Sequence, residues 1–141
     1  MEMNFSYKPD IQQIPVIQND FELLWNNWGV PRPESRQILM IIEELFASMI
    51  RNSCPPEREH LVEITLNKNG NVIRVVLQEN GGPFNPVTHD RKKPRDLLFS
   101  DSGNLGIELI RTFVDSMAYQ RNSDRNVVSF QKMIKRSGDK A

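Results

Sequence analysis

Apolar residues along the chain follow two rhythms. In residues 3–8, Phe5 and Tyr7 alternate with polar neighbours and Pro9 follows. A period of two predicts a short half-buried strand, which the proline ends. Phe21, Leu24, Trp25 and Trp28 recur at i, i+3, i+4 and i+7, the spacing of one helix face. Pro15 suits that helix's first turn, and Gly29 suits its C-terminal cap. A second helix opens at Pro33. Its stripe is Ile38, Ile41, Ile42, Leu45, Phe46, Met49 and Ile50, and Pro55 and Pro56 require it to end by Cys54.

The period then returns to two. Val62, Ile64 and Leu66 alternate, as do Ile73, Val75 and Leu77, and the Asn67-Lys68-Asn69-Gly70 stretch between them predicts a hairpin turn. Residues 79–86, Glu-Asn-Gly-Gly-Pro-Phe-Asn-Pro, predict an irregular loop, and residues 87–102 are polar with one apolar patch at Leu97, Leu98 and Phe99. A long stretch without periodicity points to a functional loop. A third helix is expected to follow, with Ile107, Ile110, Phe113, Val114 and Met117 on one face. A closing hairpin pairs residues 118–121 with 127–130 across a polar turn at 122–126, and the tail from residue 135 should fray. The elements predict an α+β two-layer sandwich, with helices on one face of a mixed, mostly antiparallel sheet.

A chain of 141 residues fits a single domain spanning 1–141. Lys+Arg and Asp+Glu are equal at 18 each, so the overall charge gives no sign of a nucleic-acid binder. No apolar run approaches the roughly 20 residues of a membrane span. A single cysteine, Cys54, excludes an intrachain disulfide. His60 and His89 lack the helical spacing of a zinc pair. A soluble cytoplasmic domain is the expectation.

Three places could carry chemistry. On the second helix, at about 100° per residue, Glu44, Ser48 and Asn52 lie at i, i+4 and i+8 beside the apolar stripe. They read either as ordinary boundary polarity or as a half-buried carboxylate facing a cleft. In residues 79–86, the glycines allow a backbone to approach a ligand closely, and Glu79 can accept from an amino group. The same residues also suit a plain strand-ending turn. Gly103-Asn104-Leu105-Gly106 precedes a helix, whose free N–H groups favour an anion, although many helices begin after glycine.

Taken in order, these pieces resemble the GHKL ATPases of the Bergerat ATP-binding fold, and within them the small anti-sigma-factor serine kinases. The resemblance runs from about Phe5 to Ile134. Its most specific part is Gly103-Asn104-Leu105-Gly106-Ile107, then Leu109-Ile110, Val114-Asp115, Tyr119 and Asn126-Val127-Val128.

The resemblance implies that Glu44 acts as the general base. Ser48 stands where the family has the magnesium-binding Asn, and Asn52 lies one turn on. Glu79 stands where the family has an Asp that takes the adenine amino hydrogen. Gly81 would let the base lie on the backbone, and Phe84 would pack under the loop. Gly103, Asn104, Leu105 and Gly106 would hold the phosphates, with residues 87–102 closing as a lid. The implied ligands are ATP and Mg²⁺. The implied partners are an anti-anti-sigma (STAS-type) protein, a sigma factor, or both, and the family often forms homodimers. Two functions follow: a protein serine kinase, or a degenerate binding module that regulates its partner without phosphotransfer. An ATPase without a protein substrate is a third, weaker option.

Overall fold

The computed structural model describes residues 1–53, 59–86 and 113–134. The expected lid at 87–102, the turn Gly103, Asn104, Leu105 and Gly106, the start of the third helix and the tail lie outside the described residues.

Strand β1 is Glu2–Tyr7. Asp10 accepts from the Gln12 N–H at 2.9 Å and starts a short turn that leads into the first helix. Helix α1 is Ile14–Trp28, with Pro15 in its first turn and Gly29 closing it at φ 66°. Gly29 is in the left-handed region, which costs glycine nothing. Helix α2 is Arg32–Asn52. Strands β2 (Val62–Asn69) and β3 (Val72–Glu79) form the first hairpin, and β4 (Ser116–Asn122) and β5 (Arg125–Met133) the second. The sheet order is β1-β2-β3-β5-β4. Every pairing among the described residues is antiparallel, so the parallel element allowed for in a mixed sheet is not seen there.

Alternation decides which side of the sheet is buried. Val62, Ile64, Leu66, Ile73, Val75, Leu77, Val128 and Phe130 are all 1% exposed or less. They meet Ile17, Phe21, Ile38, Ile42, Leu45, Phe46 and Met49 in one core. Glu63, Thr65, Arg74, Gln78 and Gln131 take the other parity and are half-buried or exposed. An antiparallel sheet can leave one face wet in this way. Aromatic rings tie β1 to the helices: Phe5 lies 5.0 Å from Phe21, and Tyr7 meets Phe46 edge-on at 6.5 Å.

Three local expectations shift. The first hairpin turn is only two residues, Gly70-Asn71, because Asn69 still pairs with Val72. Gly70 has φ 62° at the first central position, where a tight hairpin needs a positive φ. The second turn is also two residues, Ser123-Asp124, with Asn122 paired to Arg125. Asn126 is therefore in the sheet, not in a polar turn. Met117, expected on a helix face, lies in β4, where it and Tyr119 pack against the core as alternate strand residues.

Candidate functional site

On α2, Glu44 is half-buried beside the apolar stripe, Ser48 is fully buried and Asn52 is exposed. The Asn52 side-chain amide donates to the Ser48 carbonyl at 2.8 Å and lies 3.4 Å from the Ser48 hydroxyl. The helix thus presents three hard oxygen donors at one-turn spacing, the type that suits Mg²⁺. Of these, the Ser48 hydroxyl is sealed from solvent. No cluster of three or more His, Cys, Asp or Glu able to hold a metal occurs among the described residues.

Glu79 ends β3 on the core-facing parity set by Ile73, Val75 and Leu77, and it is fully buried. A buried carboxylate is costly unless it is hydrogen-bonded. Here three groups of the protein meet that demand. The Gly81 N–H donates to Oε1 at 2.7 Å. The Asn126 Nδ2 lies 3.1 Å from Oε1 and 3.2 Å from Oε2. The Ser53 hydroxyl donates to Oε2 and also lies 3.0 Å from the Met49 carbonyl, at the end of α2.

Asn126 is the hub of this cluster and is 1% exposed. Register places it directly opposite Glu79 on β3 and Arg121 on β4. Its Nδ2 also donates to the Gly82 carbonyl at 2.7 Å. Its Oδ1 accepts from the Tyr119 hydroxyl at 2.6 Å, the Arg121 guanidinium at 3.1 Å and the Phe84 N–H at 3.3 Å. Arg121 also donates to the Gly81 carbonyl at 2.8 Å. The 79–84 loop is therefore held by β4, β5 and the end of α2 together.

Gly81 was expected to leave room for a base. That room is occupied: a β-carbon there would lie 1.8 Å from the Ser53 carbonyl oxygen. The same carbonyl accepts from the Gly82 N–H at 2.8 Å. Phe84 is buried below the loop. The Nδ1 of buried His60 lies 3.1 Å from the Asn80 Oδ1, so this histidine braces the same loop.

The structure thus joins Glu79, Gly81 and Phe84 in one hydrogen-bonded cluster and keeps Ser48 and Asn52 together on α2. Gly103, Asn104, Leu105 and Gly106 lie outside the described residues. Sequence reasoning gave no role to Ser53, Arg121 or the Asn126 side chain. A signal for Asn126 was present: it shares parity with Val128 and Phe130, so a polar residue was due on the core face and needed a partner.

Residues 7–132 match the sequence profile of the histidine kinase-like ATPase domain. A search of curated proteins finds no match. Among solved structures, the chain is similar to the RsbU and RsbW domains of Rv1364c from Mycobacterium tuberculosis. The TM-score is 0.70 at 8% identity, over 97% of this chain and 33% of that one. It is also similar to the histidine kinase domain of the Erythrobacter litoralis EL346 blue-light activated histidine kinase. There the TM-score is 0.54 at 10% identity, over 72% of this chain and 45% of that one. The chain spans less than half the length of either. No helix among the described residues is long and apolar enough to cross a membrane.

Proposed function

Because the chain belongs to the histidine kinase-like ATPase domain family, we propose that it is an ATP-binding regulator that phosphorylates a serine on an anti-anti-sigma partner. The observation that carries this reading is the Glu44–Ser48–Asn52 face of α2, a half-buried carboxylate with oxygen donors at one-turn spacing. The likeness to a structure containing an RsbW domain, over nearly the whole chain, supports the anti-sigma branch.

In this mechanism Glu44 accepts the proton of the attacking serine hydroxyl as the γ-phosphoryl group moves to that oxygen, and ADP leaves. A base positioned in this way contributes typically 10²–10⁴-fold. Mg²⁺, when bound, would neutralise phosphate charge, and Asn52 is the exposed oxygen donor on the α2 face that could hold it. Phosphates would rest at 103–106. A sigma factor is the expected second partner.

The fully buried Ser48 favours a second reading, in which the domain binds its partner without phosphotransfer. Its hydroxyl, standing where the family uses Asn for metal, has no exposed surface.

Calorimetry with ATP and with ADP, each with and without Mg²⁺, tests the shared premise. No binding at millimolar nucleotide overturns both the kinase and the ATP-switched regulator. Transfer of labelled γ-phosphate to a co-purified small protein separates the two readings. Glu44→Gln should hold ATP within a few-fold of the parent and abolish transfer, and transfer at the parent rate refutes the base role.

A further inference from the structure

We propose that Glu79 is a buried clamp and not a reader of the nucleotide base, so that this chain takes adenine and guanine nucleotides with similar affinity. This rests on the nucleotide-binding reading above and concerns the selectivity of that same site.

The argument starts from acceptor capacity. An ionised carboxylate has two oxygens and about four lone-pair sites. Gly81 N–H and Asn126 Nδ2 take Oε1, while the Ser53 hydroxyl and the same Asn126 nitrogen take Oε2. Both carboxylate oxygens are thus engaged from within the chain, and the residue has no exposed surface. A base amino group could reach it only by displacing Ser53 or Asn126.

The surroundings resist that displacement. Ser53 is held from both sides: its N–H donates to the Met49 carbonyl at 2.9 Å, and its own carbonyl accepts from Gly82 at 2.8 Å. Asn126 is fixed by further bonds to Gly82, Tyr119, Arg121 and Phe84. The contact between the Ser53 backbone and the Gly81 α-carbon leaves no gap at that point.

Adenine and guanine differ at ring position 6, where one carries an amino donor and the other an oxo acceptor. An open carboxylate there favours the donor and repels the oxo group. A site built to bond such a group can reject the analogue lacking it by about 10⁴-fold. With Glu79 sealed and satisfied, that discrimination is absent, and affinity comes from contacts that both bases share.

Calorimetry of the unmodified protein with Mg-ATP and with Mg-GTP under one condition tests this. Dissociation constants within tenfold of each other are expected. A ratio above tenfold in favour of ATP overturns the clamp proposal and leaves the nucleotide reading standing. Failure of both nucleotides to bind overturns that reading and the proposal with it. Glu79→Gln adds a second readout: it should weaken ATP and GTP by the same factor, because it loosens the loop for both. A loss confined to ATP identifies Glu79 as a base reader. Where that variant does not fold, the ratio measured on the unmodified protein decides.

Discussion

Gly81 and Ser53 meet backbone to backbone. A β-carbon on Gly81 would sit 1.8 Å from the Ser53 carbonyl oxygen, closer than any non-bonded pair of such atoms can come. This contact joins the end of α2 to the loop after β3. Gly81→Ala must therefore push the two elements apart and stretch the Gly82 N–H to Ser53 carbonyl bond. Overpacking of this kind costs about 1–3 kcal/mol. The control is next door: a β-carbon on Gly82 meets nothing within 4 Å. Gly82→Ala should stay within about 0.5 kcal/mol of the parent, as surface substitutions do. Urea denaturation of the two variants checks the contrast, and equal losses refute it.

Asn126→Ala should be among the most damaging polar substitutions in the chain. It removes partners from Glu79, Gly82, Phe84, Tyr119 and Arg121 at once. Each buried polar group left unsatisfied costs about 1–3 kcal/mol, so a total of about 3 kcal/mol or more is expected. Chemical denaturation measures it. Hydrogen exchange at the Gly81 and Phe84 amides should also speed up, and unchanged protection there contradicts the role of Asn126 as hub.

Tyr7 gives a pH-dependent prediction. Its hydroxyl donates to the Asp20 Oδ2 at 2.7 Å. Burial first, then that hydrogen bond and the Asp20 charge, push the phenol above its ordinary range. The folded state therefore holds the proton more tightly than the unfolded state. The stabilisation is fully present below the unfolded value of about 10 and is lost as pH rises beyond it. The melting temperature should fall above about pH 10. Tyr7→Phe should cost about 1 kcal/mol at neutral pH and flatten the alkaline decline. An unaltered decline in the variant assigns it to other groups.

The Arg125–Glu63 pair is the opposite case. The atoms lie 3.2 Å apart, with each side chain 42% exposed. An exposed pair contributes about 0–1 kcal/mol and is screened by salt. Arg125→Ala should leave the denaturation midpoint nearly unchanged at 0.5 M NaCl. A large salt-independent loss would mean that the pair is part of the core network.

Much of the fold was legible because its signals are local. The stripe from Ile38 to Ile50 specifies a helix whatever lies around it, and Val62–Ile64–Leu66 specifies a strand with one buried face. Gly29 and Pro15 marked the ends of α1 by backbone chemistry alone. Turn length was less legible. Asn122 and Asn126 both suit a loop by type, yet the pairing of Asn122 with Arg125 closes the hairpin in two residues. Met117 was misread because its spacing from Phe113 and Val114 fits a helix, and only its pairing opposite Phe130 shows a strand.

The sequence alone determined the two helices, the alternating strands, the antiparallel hairpins and the short set of polar residues worth watching. These follow from periodicity and from the backbone preferences of proline and glycine, which act over a few residues. The tertiary structure alone decided what Glu79 does. Its partners Ser53 and Asn126 are 26 and 47 positions away, and strand register with the docking of α2 brings them onto one carboxylate. Hydrogen bonds extend about 3 Å, so no local pattern could reveal which donors would reach it.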